Sequence, residues 1–137
     1  EKYAALQEAK GLDTPEVTVA ALKNSTSQKF VETIISKAKL IPADSYKEAI
    51  DLLLKGKIDV LVADYYFCAL SAYRYQDKEL IAGKSPLTFE PLGIAMTEDT
   101  LLINWVQNFM NILQGSGELK EMGEKWLNGG SWIDELP

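Results

Sequence analysis

The sequence predicts an α/β domain, a mostly parallel sheet flanked by helices and followed by C-terminal helices. Three observations carry this reading. Residues 17–22 (VTVAAL) and 58–63 (IDVLVA) are compact, β-branched apolar runs with little polar alternation, as suits strands buried on both faces. Between and after them, apolar residues recur at spacings of three and four, the period of an amphipathic helix. Gly, Pro, Asn, Asp or Ser mark each change of period, which places loops between the elements.

Taken in order, residues 1–10 (EKYAALQEAK) carry Tyr3, Leu6 and Ala9 at helical spacing, and Gly11 and Pro15 stop that pattern. Residues 17–22 form the first strand, interrupted by Asn24-Ser25-Thr26-Ser27. From Gln28, Phe30, Val31, Ile34, Ile35 and Ala38 define a helix with hydroxyl residues at its N-terminus. Residues 39–43 are a brief second strand. Residues 46–55 place Ala49, Ile50, Leu53 and Leu54 on one helical face and end at Gly56, where a left-handed C-cap is expected. Residues 58–63 are the next strand, closed by Asp64, and 65–75 are an aromatic-rich helix. Residues 76–90 read as loop around a short Leu80-Ile81-Ala82 strand, and 92–96 as a last strand.

Leu101, Trp105, Phe109 and Leu113 repeat every fourth residue, with Leu102, Val106 and Met110 beside them, giving a helix with a wide apolar stripe. Gly115 and Gly117 are expected to break it. A shorter helix over 118–127 turns Leu119, Met122 and Trp126 inward, and Gly129-Gly130 lead into a tail. The division that results is an N-terminal helix and linker over 1–14, an α/β lobe over 15–96 and C-terminal helices over 97–137.

The 137 residues hold 14 Lys and Arg against 20 Asp and Glu, a formal charge of −6, and 47% are apolar. A chain of this size can bury a core without staples. Its acidity disfavours nucleic acid, whose binding draws most of its affinity from clustered Lys and Arg. With no His and with Cys68 as the single cysteine, Cys/His metal sites, Ser/His/Asp triads and Cys/His dyads cannot be assembled within one copy. No metal, cofactor or catalytic residue is expected. No run approaches the roughly 18 to 20 apolar residues of a membrane span.

Chemistry is expected where strands of an open α/β sheet end, because loops and helix N-termini converge there. At Asn24-Ser25-Thr26, the free amides of a first helical turn, the positive end of its dipole and two hydroxyls make a seat for a carboxylate. A plain capping role for Ser25 or Thr26 is the competing reading. Asp64 sits at the end of another strand and could accept hydrogen bonds from an ammonium group, or simply cap the helix that follows. Tyr65, Tyr66 and Phe67 lie beside it, either toward a ligand or in the core. Asp59, near that strand's start, reads as a turn or cap residue. Cys68 reads as a small buried residue. Gly115-Ser116-Gly117 lacks the preceding strand and the Lys-Ser/Thr ending of a phosphate loop and reads as a turn.

Four segments in order, VTVAALKNSTSQKF, AIDLLLKGKIDVLVAD, EPLGIAM and GELKEMGEKWL, resemble the C-terminal half of family 3 extracellular solute-binding proteins, the amino-acid receptors of ABC importers. The likeness runs from about Gly11 to Trp132. It implies a lobe of the type II periplasmic-binding-protein fold, from a two-lobed clamp that closes on an amino acid or similar small polar carboxylate. It also implies a periplasmic or extracellular location, and an ABC permease as partner of the full-length protein. By resemblance, Asn24-Ser25-Thr26 matches the family's Gly-Ser/Thr-Thr loop, with Thr26 and its amide meeting the ligand's α-carboxylate. Asp64, with Tyr65 beside it, falls where an acid often receives the α-ammonium. Asn24 departs from the family's Gly, but Asn is the next most tolerant of positive φ.

The family's first lobe, with its carboxylate-pairing Arg and aromatic platform, has no counterpart here, so half of the binding site is expected and isolated binding is expected to be weak. The C-terminal helices, which in the family pack on that lobe, would present Trp105 and Phe109 uncovered, either folding onto this chain's own lobe or pairing with another copy. Two other roles stay open: a sensory input domain of a receptor or kinase, and a cyclohexadienyl-dehydratase-like enzyme using Asp64 or Glu90 as acid or base on prephenate or arogenate.

Overall fold

The computed structural model describes residues 9–83 and 86–128. These fall into two compact units, the first ending at Thr88 and the second beginning at Phe89. The first unit opens with one helical turn, α1 (Ala9–Leu12), which runs through Gly11 instead of stopping there. Leu12 is driven into the core, only 1% exposed, and that burial outweighs the weak helix propensity of Gly11. The predicted helix over 1–8 lies outside the described residues.

Three parallel strands follow: β1 (Thr18–Leu22), β2 (Lys39–Ala43) and β3 (Val60–Val62), in the spatial order β2-β1-β3. The helices between them are α2 (Thr26–Ile34) and α3 (Tyr46–Leu54), and α4 (Tyr65–Arg74) comes after β3. Because β1 is central, its residues alternate between two buried faces. Val19 and Ala21 join Leu12, Val17, Val31, Ile35 and Val62 in one cluster, whereas Ala20 meets Ala43, Ala49 and Ile58 in the other. The uninterrupted apolar run of β1 therefore covers both sides of the sheet, with α2 on one and α3 on the other. Each fully buried Val or Ile side chain contributes about 1.5–3 kcal/mol.

At the opposite end of the strands, Asp59 ties β1 to β3: its amide donates to the Thr18 carbonyl at 2.8 Å and its carboxylate accepts the Thr18 amide at 2.9 Å. It is a structural residue, as its position near the strand start suggested. On α1's far side the Asp13 carboxylate accepts the Lys37 amide at 2.9 Å and pairs with the Lys37 ammonium at 3.4 Å, which pins the turn before β2.

Two expected strands are absent. Residues 80–82 and 92–96 are not in a ladder among the described residues, and Ile81, Leu92 and Ile94 are exposed. An apolar run becomes a strand only when a neighbouring backbone takes up its N–H and C=O groups, and β2-β1-β3 leaves these segments without one. Residues 76–78 form a 3₁₀ turn instead, closed by Glu79 at φ 58°.

In the second unit, Asp99 caps α5 (Thr100–Ser116) by accepting the amides of Leu101 and Leu102 at 2.9 and 3.1 Å. The helix passes through Gly115 and ends at Gly117, whose φ of 89° is a left-handed cap that side chains resist. The broad stripe splits in two. Val106, Met110 and Leu113, at i, i+4 and i+7, are the shielded line, while Leu101, Trp105, Phe109 and Ile112 are exposed. The Trp105 and Phe109 rings stack at 5.9 Å. After Gly117 come α6 (Glu118–Gly123) and a π-helical turn, Glu124–Asn128. Leu119, Met122 and Trp126 are exposed, contrary to the inward face expected of them. Gly129-Gly130 and the tail lie outside the described residues.

Candidate functional site

The site is built on the edge of the sheet where β1 and β3 end. Beyond Leu22, Asn24 adopts φ 60°, the left-handed conformation that Asn tolerates best after Gly. This reverses the chain into α2, two residues earlier than the apolar spacing predicted. The Ser25 hydroxyl donates to the Leu22 carbonyl at 2.6 Å and accepts the Gln28 amide at 3.1 Å. The Gln28 side chain in turn accepts the Asn24 amide at 2.7 Å and donates to Glu32 at 2.7 Å. Ser25 is thus a helix cap in this structure. What the turn holds out is the exposed Thr26 side chain with the amides of Thr26 and Ser27, which open the helix and have no intrahelical acceptor.

A neighbouring helix gives a direct comparison. The same pattern opens α3, where the Ser45 hydroxyl accepts the Glu48 amide at 3.1 Å and the Glu48 carboxylate accepts the Asp44 amide at 2.8 Å. There a negative charge already sits in the first turn; in α2 the equivalent residue is neutral Gln28 and the first turn has no acid. The positive end of the α2 dipole is therefore left uncompensated by any acid in its own first turn.

Asp64 stands on the adjoining strand end. The register pairs Ala21 with Val62, so Asp64, two residues on, is level with Lys23 at the start of the α2 turn. Asp64 occupies the N-cap position of α4, and its carbonyl accepts the Cys68 amide at 3.0 Å, but its carboxylate makes no capping bond. Asp64 is exposed and near enough to Tyr46 for its charge to act on the phenol. Partial burial, and then the negative charge of Asp64, push the Tyr46 phenol above its ordinary value of 10.0. The Tyr46 ring stacks on Phe67 at 4.2 Å and 24°. Cys68 is half-buried and burial pushes its thiol up, as its reading as a packing residue requires. Tyr65 and Tyr66 are exposed beside Asp64, edge to face at 5.6 Å.

Asn24, Ser25, Thr26, Asp64 and Tyr65 thus share one sheet edge. Lys23 joins them and pairs with Asp44 at 3.3 Å, a solvent-exposed contact worth at most about 1 kcal/mol. Sequence reasoning did not single out two residues at this edge, Gln28 and Tyr46. A signal for Tyr46 was present, since it opens the helix that follows β2 and so sits at the same edge. Among the described residues no group of three or more His, Cys, Asp or Glu could hold a metal, and no helix is long and apolar enough to cross a membrane.

No protein-family model matches the chain. Among solved structures it superposes on an ancestral cationic amino acid solute-binding protein with a TM-score of 0.73 at 30% identity, over 88% of this chain and 51% of that one. The fold is that of a periplasmic-binding-protein lobe. A second solved lobe agrees, in a binding component of an ABC transporter from Wolinella succinogenes complexed with lysine, with a TM-score of 0.77 at 28% identity over 93% of this chain and 55% of that one. A curated relative, cyclohexadienyl dehydratase of Pseudomonas aeruginosa, is 22% identical over 124 residues, 90% of this chain and 46% of the enzyme. The lobe therefore spans about half the length of each of these relatives. Binding proteins and an enzyme both stand among them.

Proposed function

We propose that this chain is one wall of a family 3 solute-binding clamp that serves an ABC importer in the periplasm or outside the cell, and that it recognises an amino acid without making or breaking bonds. The α-carboxylate of the ligand sits on the amides of Thr26 and Ser27 and on the Thr26 hydroxyl. Its α-ammonium pairs with Asp64, with Tyr65 alongside. The observation that carries this reading is the juxtaposition at one sheet edge of two unspent groups of opposite sign: an α2 N-terminus without an acid of its own and an N-cap carboxylate that does not cap. A zwitterion matches both at once. The solved neighbours, one a cationic amino acid binder by its name and one holding lysine, support the ligand class.

The dehydratase relative supports a second reading, in which Asp64 or Glu90 moves a proton on a carboxylate-bearing substrate. A thermal-shift screen separates them. Binding predicts a concentration-dependent rise in melting temperature with one or a few amino acids and no product from prephenate or arogenate. No rise with any amino acid, or an aromatic product formed from either acid, overturns it.

A further inference from the structure

The C-terminal edge of the sheet carries a row of three charges, of which the proposed site uses one. The β1–β2 register pairs Leu22 with Ala43, so the next residues along, Lys23 and Asp44, stand level. The β1–β3 register brings Asp64 level with Lys23 from the other side. Because β1 is the central strand, the lysine lies between two acids, one beyond each outer strand. Neighbouring strands are about 4.8 Å apart, a span that a lysine side chain covers in either direction. The structure shows which way it turns. The Lys23 ammonium meets the Asp44 carboxylate at 3.3 Å, and the Lys23 amide donates to the Ala43 carbonyl at 2.9 Å, so side chain and backbone both engage the β2 side. Asp44 is anchored in turn, since its amide donates to the Glu48 carboxylate at 2.8 Å in the cap of α3.

We propose that Asp44 is a positioning residue that acts through Lys23: it draws the lysine toward β2 and so keeps that ammonium off Asp64, where the ammonium of the bound amino acid is to sit. This rests on the amino-acid-binding reading. A lysine side chain and an α-ammonium offer a carboxylate the same charge and the same N–H donors, so Lys23 is a competitor for Asp64 built into the chain. Asp44 occupies the competitor. Both members of the pair are solvent-exposed, and such pairs are weak, so Asp44 biases the lysine without locking it.

Titrations of the intact chain with L-lysine and with acetate, which has no ammonium, test this in wild type, Asp44→Asn, Lys23→Ala and the double variant. Asp44→Asn frees Lys23 to move to Asp64, so L-lysine should bind about two- to fivefold more weakly, the scale of an exposed ion pair, while acetate does not weaken. Removing the competitor as well should undo the loss: the double variant and Lys23→Ala alone are both expected to bind L-lysine as wild type does. A merely structural role for Asp44 would not be repaired by deleting Lys23. Unchanged L-lysine affinity in Asp44→Asn, a loss that persists in the double variant, or an equal loss for acetate overturns the proposal. So does weaker L-lysine binding in Lys23→Ala alone, which would make Lys23 a ligand-binding group in its own right. If wild type responds to neither probe, the amino-acid reading itself fails and takes the proposal with it; wild-type binding that Asp44→Asn leaves intact overturns only the proposal.

Discussion

Asn24 shows how a single backbone angle can set a site. Its φ of 60° turns the chain into α2, whose opening amides at Thr26 and Ser27 have no intrahelical acceptor, and the choice of Asn was legible in sequence because few other residues accept that angle. Asn24→Gly should leave stability within a few tenths of a kcal/mol, whereas Asn24→Val should cost about 1–2 kcal/mol from the left-handed clash alone; urea denaturation distinguishes them, and equal stabilities would mean the turn is not held in this form. Tyr46 and Cys68 make a pH prediction. Both are raised in the folded state, from 10.0 and 9.0, so the native protein retains protons that the unfolded chain gives up. Their contribution is complete below about pH 9 and is lost as pH rises through the raised values. Melting temperature should fall above pH 9, and less steeply in Tyr46→Phe; an identical slope would show that Tyr46 titrates freely. The influence of Asp64 on Tyr46 was not legible, because the two residues come from two strand ends that no local spacing connects.

At the scale of elements, buried periodicity was a faithful guide and exposed apolar residues were not. β1, β2, α3 and α4 stand where period and punctuation put them, and for β1, β2 and α3 the reason is a packed partner that rewards the pattern. Residues 80–82 and 92–96 have the composition of strands but no ladder among the described residues, and composition cannot report a missing neighbour. α2 began early because Ser25, not the first apolar residue, sets the boundary. Ser25→Ala removes the acceptor for the Gln28 amide and the donor to Leu22, and should cost about 1 kcal/mol of stability. Thr26→Ala, at an exposed first position, should cost much less while weakening ligand binding. Chemical denaturation beside a ligand titration reads both, and the reverse pattern would make Ser25 the ligand group and Thr26 the cap.

For the whole molecule, the exposed stripe of α5 is the feature most at odds with a self-sufficient monomer: Leu101, Trp105 and Ile112 are 82, 66 and 64% exposed on one helix. Apolar patches of this kind seek cover. Size-exclusion chromatography with light scattering should show concentration-dependent association that Trp105→Glu reduces, and a monodisperse monomer at every concentration would contradict it. Affinity for solute should be modest, since one wall leaves the zwitterion facing water. The most direct test of the account is a ¹⁵N amide NMR titration of this chain with L-lysine, in wild type and Asp64→Asn. The account predicts that the Thr26 and Ser27 amides shift downfield and saturate in wild type, and that the response to lysine collapses in the variant while a simple carboxylate still moves the same two amides. Shifts that avoid Thr26 and Ser27, or that survive intact in Asp64→Asn, would contradict it.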